Sequence, residues 1–431
     1  MRRWVRRGAE WRAAALLSAA AIAGSTAVAC SAAAARQPAP ASARTVRDAS
    51  GRTVRIALAV RVAQVRLTAD GPWRIYASDG RSDVALTQAR ETWVLERDGG
   101  RVSARREDSS PVSRRESPLV ARAAEATGTI TFNGRRYRGE IAVSVGEGGL
   151  VVVNRLPMDD YLKGVVPLEI GTNATADMAA VEAQAVAARS YAVTHLAGPA
   201  RAWDMLATVT DQVYGGASAE SAVGNDAVDA TAGLVLQYDQ RVVNAPYHAS
   251  CGGTTAEPQD VWRTASEPYL QRVSDQVPGT TRFYCDQAPR HRWTRSFGEA
   301  ELREAVSRYV RKLPGGGTVG VVRDVHVASV TPAGRVATLA IETDRRSLLL
   351  RGNEMRDALR SPSGELLYST YFSVDAVQGR GGVTQLVLRG GGNGHGIGMC
   401  QSGAIGRARA GQDFRTILRT YYPGTTVGRI D

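Results

Sequence analysis

Three short stretches of this 431-residue chain carry side chains that could do chemistry. The first is MDDYLKGVVPLEIG, where Glu169 stands among Val165, Val166, Leu168 and Ile170. A carboxyl desolvated by such neighbours stays protonated near neutral pH, as a general acid acting on a glycosidic oxygen must. The ordinary alternative is a helix-start carboxylate, which is common and favourable there. The second stretch, NAPYHASCGGTTAEPQDVW, sets His248 and Cys251 three residues apart before a Gly-Gly turn. The third, GGGNGHGIGMCQSGA, puts His395 and Gly396 in a glycine loop where backbone approaches a ligand closely, with Cys400 five residues on from His395. No Lys-Ser/Thr follows those glycines, so a phosphate cradle is not expected. HExxH, GxSxG, Walker and paired CxxC patterns are missing from the sequence, which removes the usual warrants for several hydrolase and nucleotide-binding classes.

The cysteines leave three readings open. If Cys30 is cleaved off or lipidated, Cys251, Cys285 and Cys400 remain, an odd number that cannot all pair within one chain. A Cys251–Cys285 disulfide leaves Cys400 free. A Cys₃His zinc site of His248, Cys251, Cys285 and Cys400 uses all three sulfurs with tetrahedral, soft-donor chemistry. The third reading is small buried thiols in a core.

The elements that must hold these residues read as α+β, a sheet-rich body with a few packed helices. Residues 51–157 are mostly period-2, β-branched segments separated by Asp-Gly, Gly-Gly and Asn-Gly turns. Residues 158–431 form the part that contains all three stretches. An Ala-rich segment predicts a helix over 175–198, capped by Thr175 or Asp177 and stopped by Gly198-Pro199. Further helices are expected around Phe297–Lys312, after SLLLRG, after the glycine loop and over FRTILRTYY.

The N-terminus reads as an address. Residues 1–30 combine Arg2, Arg3, Arg6, Arg7 and Arg12 with a short apolar run ending AVAC, as in an export signal. Cys30 sits where a bacterial lipoprotein would be acylated, although Ala27 replaces the usual Leu of that motif. Residues 31–50 are an Ala/Pro/Ser-rich linker. The expected location is the cell envelope, either secreted or periplasmic, or held at the membrane by a lipid on Cys30. Of the 54 basic residues only Lys163 and Lys312 are lysines. That skew, with no groove-reading motif, argues against nucleic acid as a partner. Residues 1–30 carry +4 of the net charge of +12, and the remaining +8 suits a polyanionic surrounding such as a bacterial wall or membrane surface.

In order, LPMDDYLKGVVPLEI, VEAQAVAARSYAVTH, TDQVYGG, YHASCGGTTAEPQDVW, EPYLQRVSD, LLYSTYFSV and GHGIGMCQSGAIGRARAGQDFRTILRTYYPGT resemble the SpoIID/LytB proteins. These are sporulation stage II protein D lytic transglycosylases and related amidase enhancers. The resemblance runs from about Val54 to Thr426. It implies an exported lytic transglycosylase that cleaves the MurNAc–GlcNAc β-1,4 bond of peptidoglycan glycan strands and leaves 1,6-anhydro-MurNAc ends. Glu169 falls at the family's catalytic acid, although LEIGTNA replaces the usual Glu-Met-Pro run. Gln212, Tyr214, His395 and Gly396 fall at motif positions expected to hold the sugar. Zinc at His/Cys positions of some members favours the metal reading of the thiols. The alternative the family offers is a non-catalytic wall-binding protein that stimulates an N-acetylmuramoyl-L-alanine amidase.

Overall fold

A computed structural model describes residues 53–108, 113–115, 117–172 and 174–430, all within one compact unit. The export signal, the linker and Cys30 lie outside the described residues.

From Thr53 to Pro157 the described elements are all strands, in two sheets. The seven-stranded sheet carries Gly149–Pro157 between Thr53–Val62 and Glu140–Gly146, antiparallel to both. Residues 149–154 are buried without alternation, because sheet and helices cover both faces; this is why LVVV reads as an unbroken apolar run. The Asn133-Gly134 signal is a hairpin joining Ile130–Phe132 to Arg135–Tyr137, with both turn residues at positive φ.

Pro157 ends the last of these strands, and two short helices follow: α1 (Met158–Lys163) and α2 (Val166–Ile170). Next comes α3 (Met178–His195), entered by a 3₁₀ turn at Thr175–Asp177. It is buried around nearly its whole circumference, which its alanines permit because they let neighbouring elements approach closely. Neither predicted cap donates or accepts as one. Asp177 instead turns its carboxylate to Arg409 (2.7 and 2.9 Å) and accepts from Thr172 Oγ1 (2.7 Å). α4 (Ala222–Ala230) packs on α3, and a short α5 (Pro258–Val261) lies near the end of the second stretch.

Residues 293–390 build a second, separate core. Strands Trp293–Gly298, Phe372–Gly379 and Gly382–Gly390 form one three-stranded sheet, and Val322–Val330, Val336–Thr343 and Ser347–Arg351 form another. With α6 (Glu299–Val310) and α7 (Asn353–Ala358) they enclose Phe297, Leu302, Leu339, Ile341, Leu386 and Leu388. The sequence reading treated 158–431 as continuous; within it, this unit is an insertion between Cys285 and the glycine loop. After that loop the chain returns to the first core through α8 (Gln401–Arg409) and α9 (Phe414–Tyr421), the latter capped by Asp413 accepting from Thr416 N (2.7 Å).

Candidate active site and thiol cluster

Glu169 sits in the last turn of α2, which has Pro167 in its first turn and which Gly171 ends in the left-handed conformation (φ 69°). The backbone of α2 thereby aims Glu169 at the loop that ends in Val213. There Glu169 Oε1 accepts from Val213 N at 2.6 Å, and the Gln401 side chain is a second donor. Gln401 in turn bonds Gln184 of α3 (3.2 Å). Burial pushes the Glu169 pKa up to about 7, against the lowering effect of those two donors. Tyr161, Tyr191 and Tyr247 stand close enough to feel its charge and are themselves held neutral, chiefly by burial. The carboxyl is half-buried, and its neighbour Leu168 is 45% exposed. The arrangement is that of a neutral acid at the edge of solvent, with no cation paired to it among the described residues.

The residues expected to hold a sugar are bonded within the protein. Gln212 is 1% exposed and fully spent: Oε1 accepts from Tyr161 OH (3.1 Å), while Nε2 donates to Tyr247 OH (2.8 Å) and Ala188 O (3.3 Å). Tyr214, also 1% exposed, donates to Asn154 Oδ1 (2.7 Å) on the central strand. Both side chains are turned into the core rather than to solvent. His395 uses both ring nitrogens on backbone, donating from Nε2 to Tyr247 O (2.8 Å) and accepting at Nδ1 from Ile397 N (3.1 Å). Desolvation and the nearby Arg356 hold its pKa down to about 3, so it is a neutral clamp on the glycine loop. Gly396 has φ 87°, and a Cβ there would come within 2.6 Å of the Arg335 guanidinium; this glycine admits a protein side chain. Tyr247 links the two areas, its hydroxyl facing Gln212 and its carbonyl facing His395.

The three cysteines do converge. Cys251, Cys285 and Cys400 are buried and free, and their sulfurs lie with a carboxylate oxygen of Asp275 within 4.8 Å of one another. Cys251 Sγ is 3.5 Å from Cys285 Sγ and 3.6 Å from Asp275 Oδ2. The other oxygen of Asp275 accepts from Tyr421 OH (2.7 Å) and Arg407 Nη2 (3.1 Å). Hydrogen bonds from Cys251 and Cys400 hold the Cys285 thiol well below its ordinary range, while burial pushes the other two thiols up. His248, expected as the fourth ligand, is not in this group. Its Nδ1 faces Ile397 O (3.2 Å) and its Nε2 is buried without a partner. The expected disulfide partners stand as free thiols instead.

Sequence reasoning missed Gln401, Gln184, Tyr191, Asp275 and Arg407. Gln401 and Asp275 sit inside quoted motifs, GMCQSGA and EPYLQRVSD, but neither is marked by spacing.

A partly buried carboxyl beside a central Ala-rich helix defines a class of protein to which known sequences are similar. The family model described as stage II sporulation protein, SpoIID, matches residues 146–238. A domain of unknown function, DUF8618, matches 280–398, nearly the limits of the inserted unit. An uncharacterized protein of Brachyspira hyodysenteriae is 30% identical over 69% of this chain and 73% of its own length. The amidase enhancer of Bacillus subtilis is 31% identical over 62% of this chain, which spans only 40% of that relative. Stage II sporulation protein D of Bacillus subtilis is 28% identical over 65% of this chain and 76% of its own length. The chain belongs to the SpoIID family.

Proposed function

We propose that this protein acts on the bacterial cell wall, as a lytic transglycosylase of peptidoglycan glycan strands. What supports the reading is the partly buried Glu169 carboxyl, which accepts from Val213 N and whose pKa burial raises to about 7. In the neutral form Glu169 donates its proton to the glycosidic oxygen between MurNAc and GlcNAc, and the C1–O bond breaks. As a carboxylate it accepts the proton of the MurNAc C6 hydroxyl, whose oxygen bonds to C1; no water is consumed. One group serves both steps when its pKa is near the working pH. Desolvation favours the acid, while the Val213 N–H and the Gln401 amide favour the carboxylate, so the two forms lie close in free energy. Digestion of purified peptidoglycan tests the reading: 1,6-anhydro-muramic products are expected from the wild type and not from Glu169→Gln. Equal product from both rejects Glu169.

The likeness to an amidase enhancer supports a second reading, a non-catalytic wall binder that stimulates an N-acetylmuramoyl-L-alanine amidase. Its signature is faster amidase digestion that persists in Glu169→Gln, with no anhydro product from either form.

The reading includes a structural zinc ion. Three thiols and one carboxylate are a chemically suitable set of four donors, and the far oxygen of Asp275 is already oriented by Tyr421 and Arg407. Cys251, Asp275, Cys285 and Cys400 would hold the ion, with Asp275 in the place expected for His248. Zinc there supplies a cross-link between the second stretch and α8, not a step of the reaction. Export by residues 1–30, a membrane anchor on Cys30 and a linker over 31–50 belong to the same proposal, with 51–157 as a β-rich support and 158–431 as the part that meets glycan. The mass of the mature N-terminus tests the anchor. No helix among the described residues is long and apolar enough to cross a membrane.

A further inference from the structure

The inserted unit reaches into the thiol cluster through one residue. Arg335 closes the turn between strands Val322–Val330 and Val336–Thr343, where Thr331 N donates to Arg335 O (2.8 Å). Its side chain points away from its own unit and is almost wholly buried, at 1% exposure. Nη2 donates to Cys251 O (2.9 Å) and Thr254 O (3.0 Å), and the guanidinium carbon lies 5.6 Å from the Tyr371 ring centroid. Nε and Nη1 are buried with no hydrogen-bond partner. Among the described residues no carboxylate is within ion-pair distance of Arg335.

A buried cation without a counter-charge is strongly unfavourable. Asp260 of α5 feels the charge of Arg335 without bonding it, and the source of negative charge that hydrogen bonding ties to Arg335 is the cluster that includes Cys251. Three thiolates and the Asp275 carboxylate around a divalent ion would leave two net negative charges. Two buried guanidinium groups stand beside them: Arg407, bonded to Asp275 Oδ1 at 3.1 Å, and Arg335. Arg407 comes from α8 in the first core, Arg335 from the insertion.

We propose that Arg335 is a positioning residue that supplies the outer counter-charge of the thiol cluster, so that the inserted unit sets how tightly the cluster holds zinc. This rests on the zinc reading above. The insertion thereby has a role in the first core beyond occupying space, and Gly396 is glycine because the guanidinium passes over it.

The test is zinc affinity of the full chain, measured by competition with a chromophoric chelator, for wild type, Arg335→Lys and Arg335→Met. Loss of an outer-shell partner lowers metal affinity about 10–100-fold. That loss is expected for Arg335→Met, with a far smaller change for Arg335→Lys, which keeps the charge. The cobalt-substituted protein gives an independent readout. Its sulfur-to-metal charge-transfer band is expected to shift in Arg335→Met and to stay in place in Arg335→Lys. Wild-type affinity in a folded Arg335→Met overturns the proposal while leaving the zinc reading intact. A wild type that takes up no zinc removes both. If Arg335→Met does not fold, Arg335→Lys decides alone. Retained affinity and band position support the counter-charge, and a tenfold loss in a folded protein overturns it in favour of the two carbonyl hydrogen bonds.

Discussion

Glu169 and Asp275 are two carboxyls of one core, both pushed up by burial, to about 7 and about 6. What surrounds them differs. Glu169 faces two amide donors and neutral phenols, is only partly buried and, among the described residues, has no cation within bonding distance. Asp275 is completely enclosed, with a guanidinium, a phenol and thiols about it. The first is fitted to exchange a proton with a molecule arriving from outside. The second can only organise charge within the protein. Burial raises both values; access and the neighbouring donors decide what each group is for.

That contrast can be broken or sharpened by four measurements. The largest effect is expected for Glu169→Gln, which should lower anhydro-muropeptide release by roughly 10²–10⁴-fold while leaving the unfolding transition cooperative. Retained turnover in this variant would erase the distinction between the two carboxyls. Next, Cys400→Ser removes a sulfur that accepts from Cys251 N (3.2 Å) and Gly403 N (3.3 Å). It should destabilise the fold by about 2–3 kcal/mol in denaturant titration, without changing which glycan products form. The third concerns pH. Because the folded pKa of Glu169 exceeds its ordinary value of 4.5, the folded state holds a proton that the unfolded state releases first. Its contribution to stability is fully present below pH 4.5 and is lost as pH rises towards 7. The loss should be about 1–3 kcal/mol relative to Glu169→Gln, after allowing for partial solvent screening. Urea midpoints of the two proteins at pH 4.5 and pH 7.5 measure it, and parallel behaviour would contradict a raised pKa. The smallest effect is Tyr214→Phe. Losing the bond to Asn154 should cost about 1 kcal/mol of stability and leave KM for glycan unchanged. A raised KM would return Tyr214 to the substrate side.

How far the residues alone reach depends on the kind of signal. Period-2 strands and the helix over α3 are local patterns, and both are found as read. The Asn133-Gly134 hairpin is likewise local, because only certain residues accept its positive φ. Glu169 stood out through its apolar neighbours in sequence, and desolvation is indeed the first cause of its raised pKa. Gln212, Tyr214 and His395 were legible as important residues but not as facing inward. Polarity in a motif does not tell whether a group meets a ligand or another residue. The thiols were found by counting, yet the fourth member of their group was not. Asp275 comes from a loop made adjacent only by tertiary folding, and His248, nearer in sequence, turns to Ile397 O instead. The inserted unit was missed because its strands and helices carry the same patterns as the rest of the chain. Only the separation of the two cores reveals it.

The register of that unit has one further implication. Trp293 lies directly opposite Gly390 in an antiparallel pair, so the chain leaves the first core and re-enters it at neighbouring points. A segment joined in this way can be gained or deleted in one genetic event, with a short turn closing the gap. Descendants lacking it would keep the acid pocket and all three sulfurs, and would need another cation where Arg335 now stands.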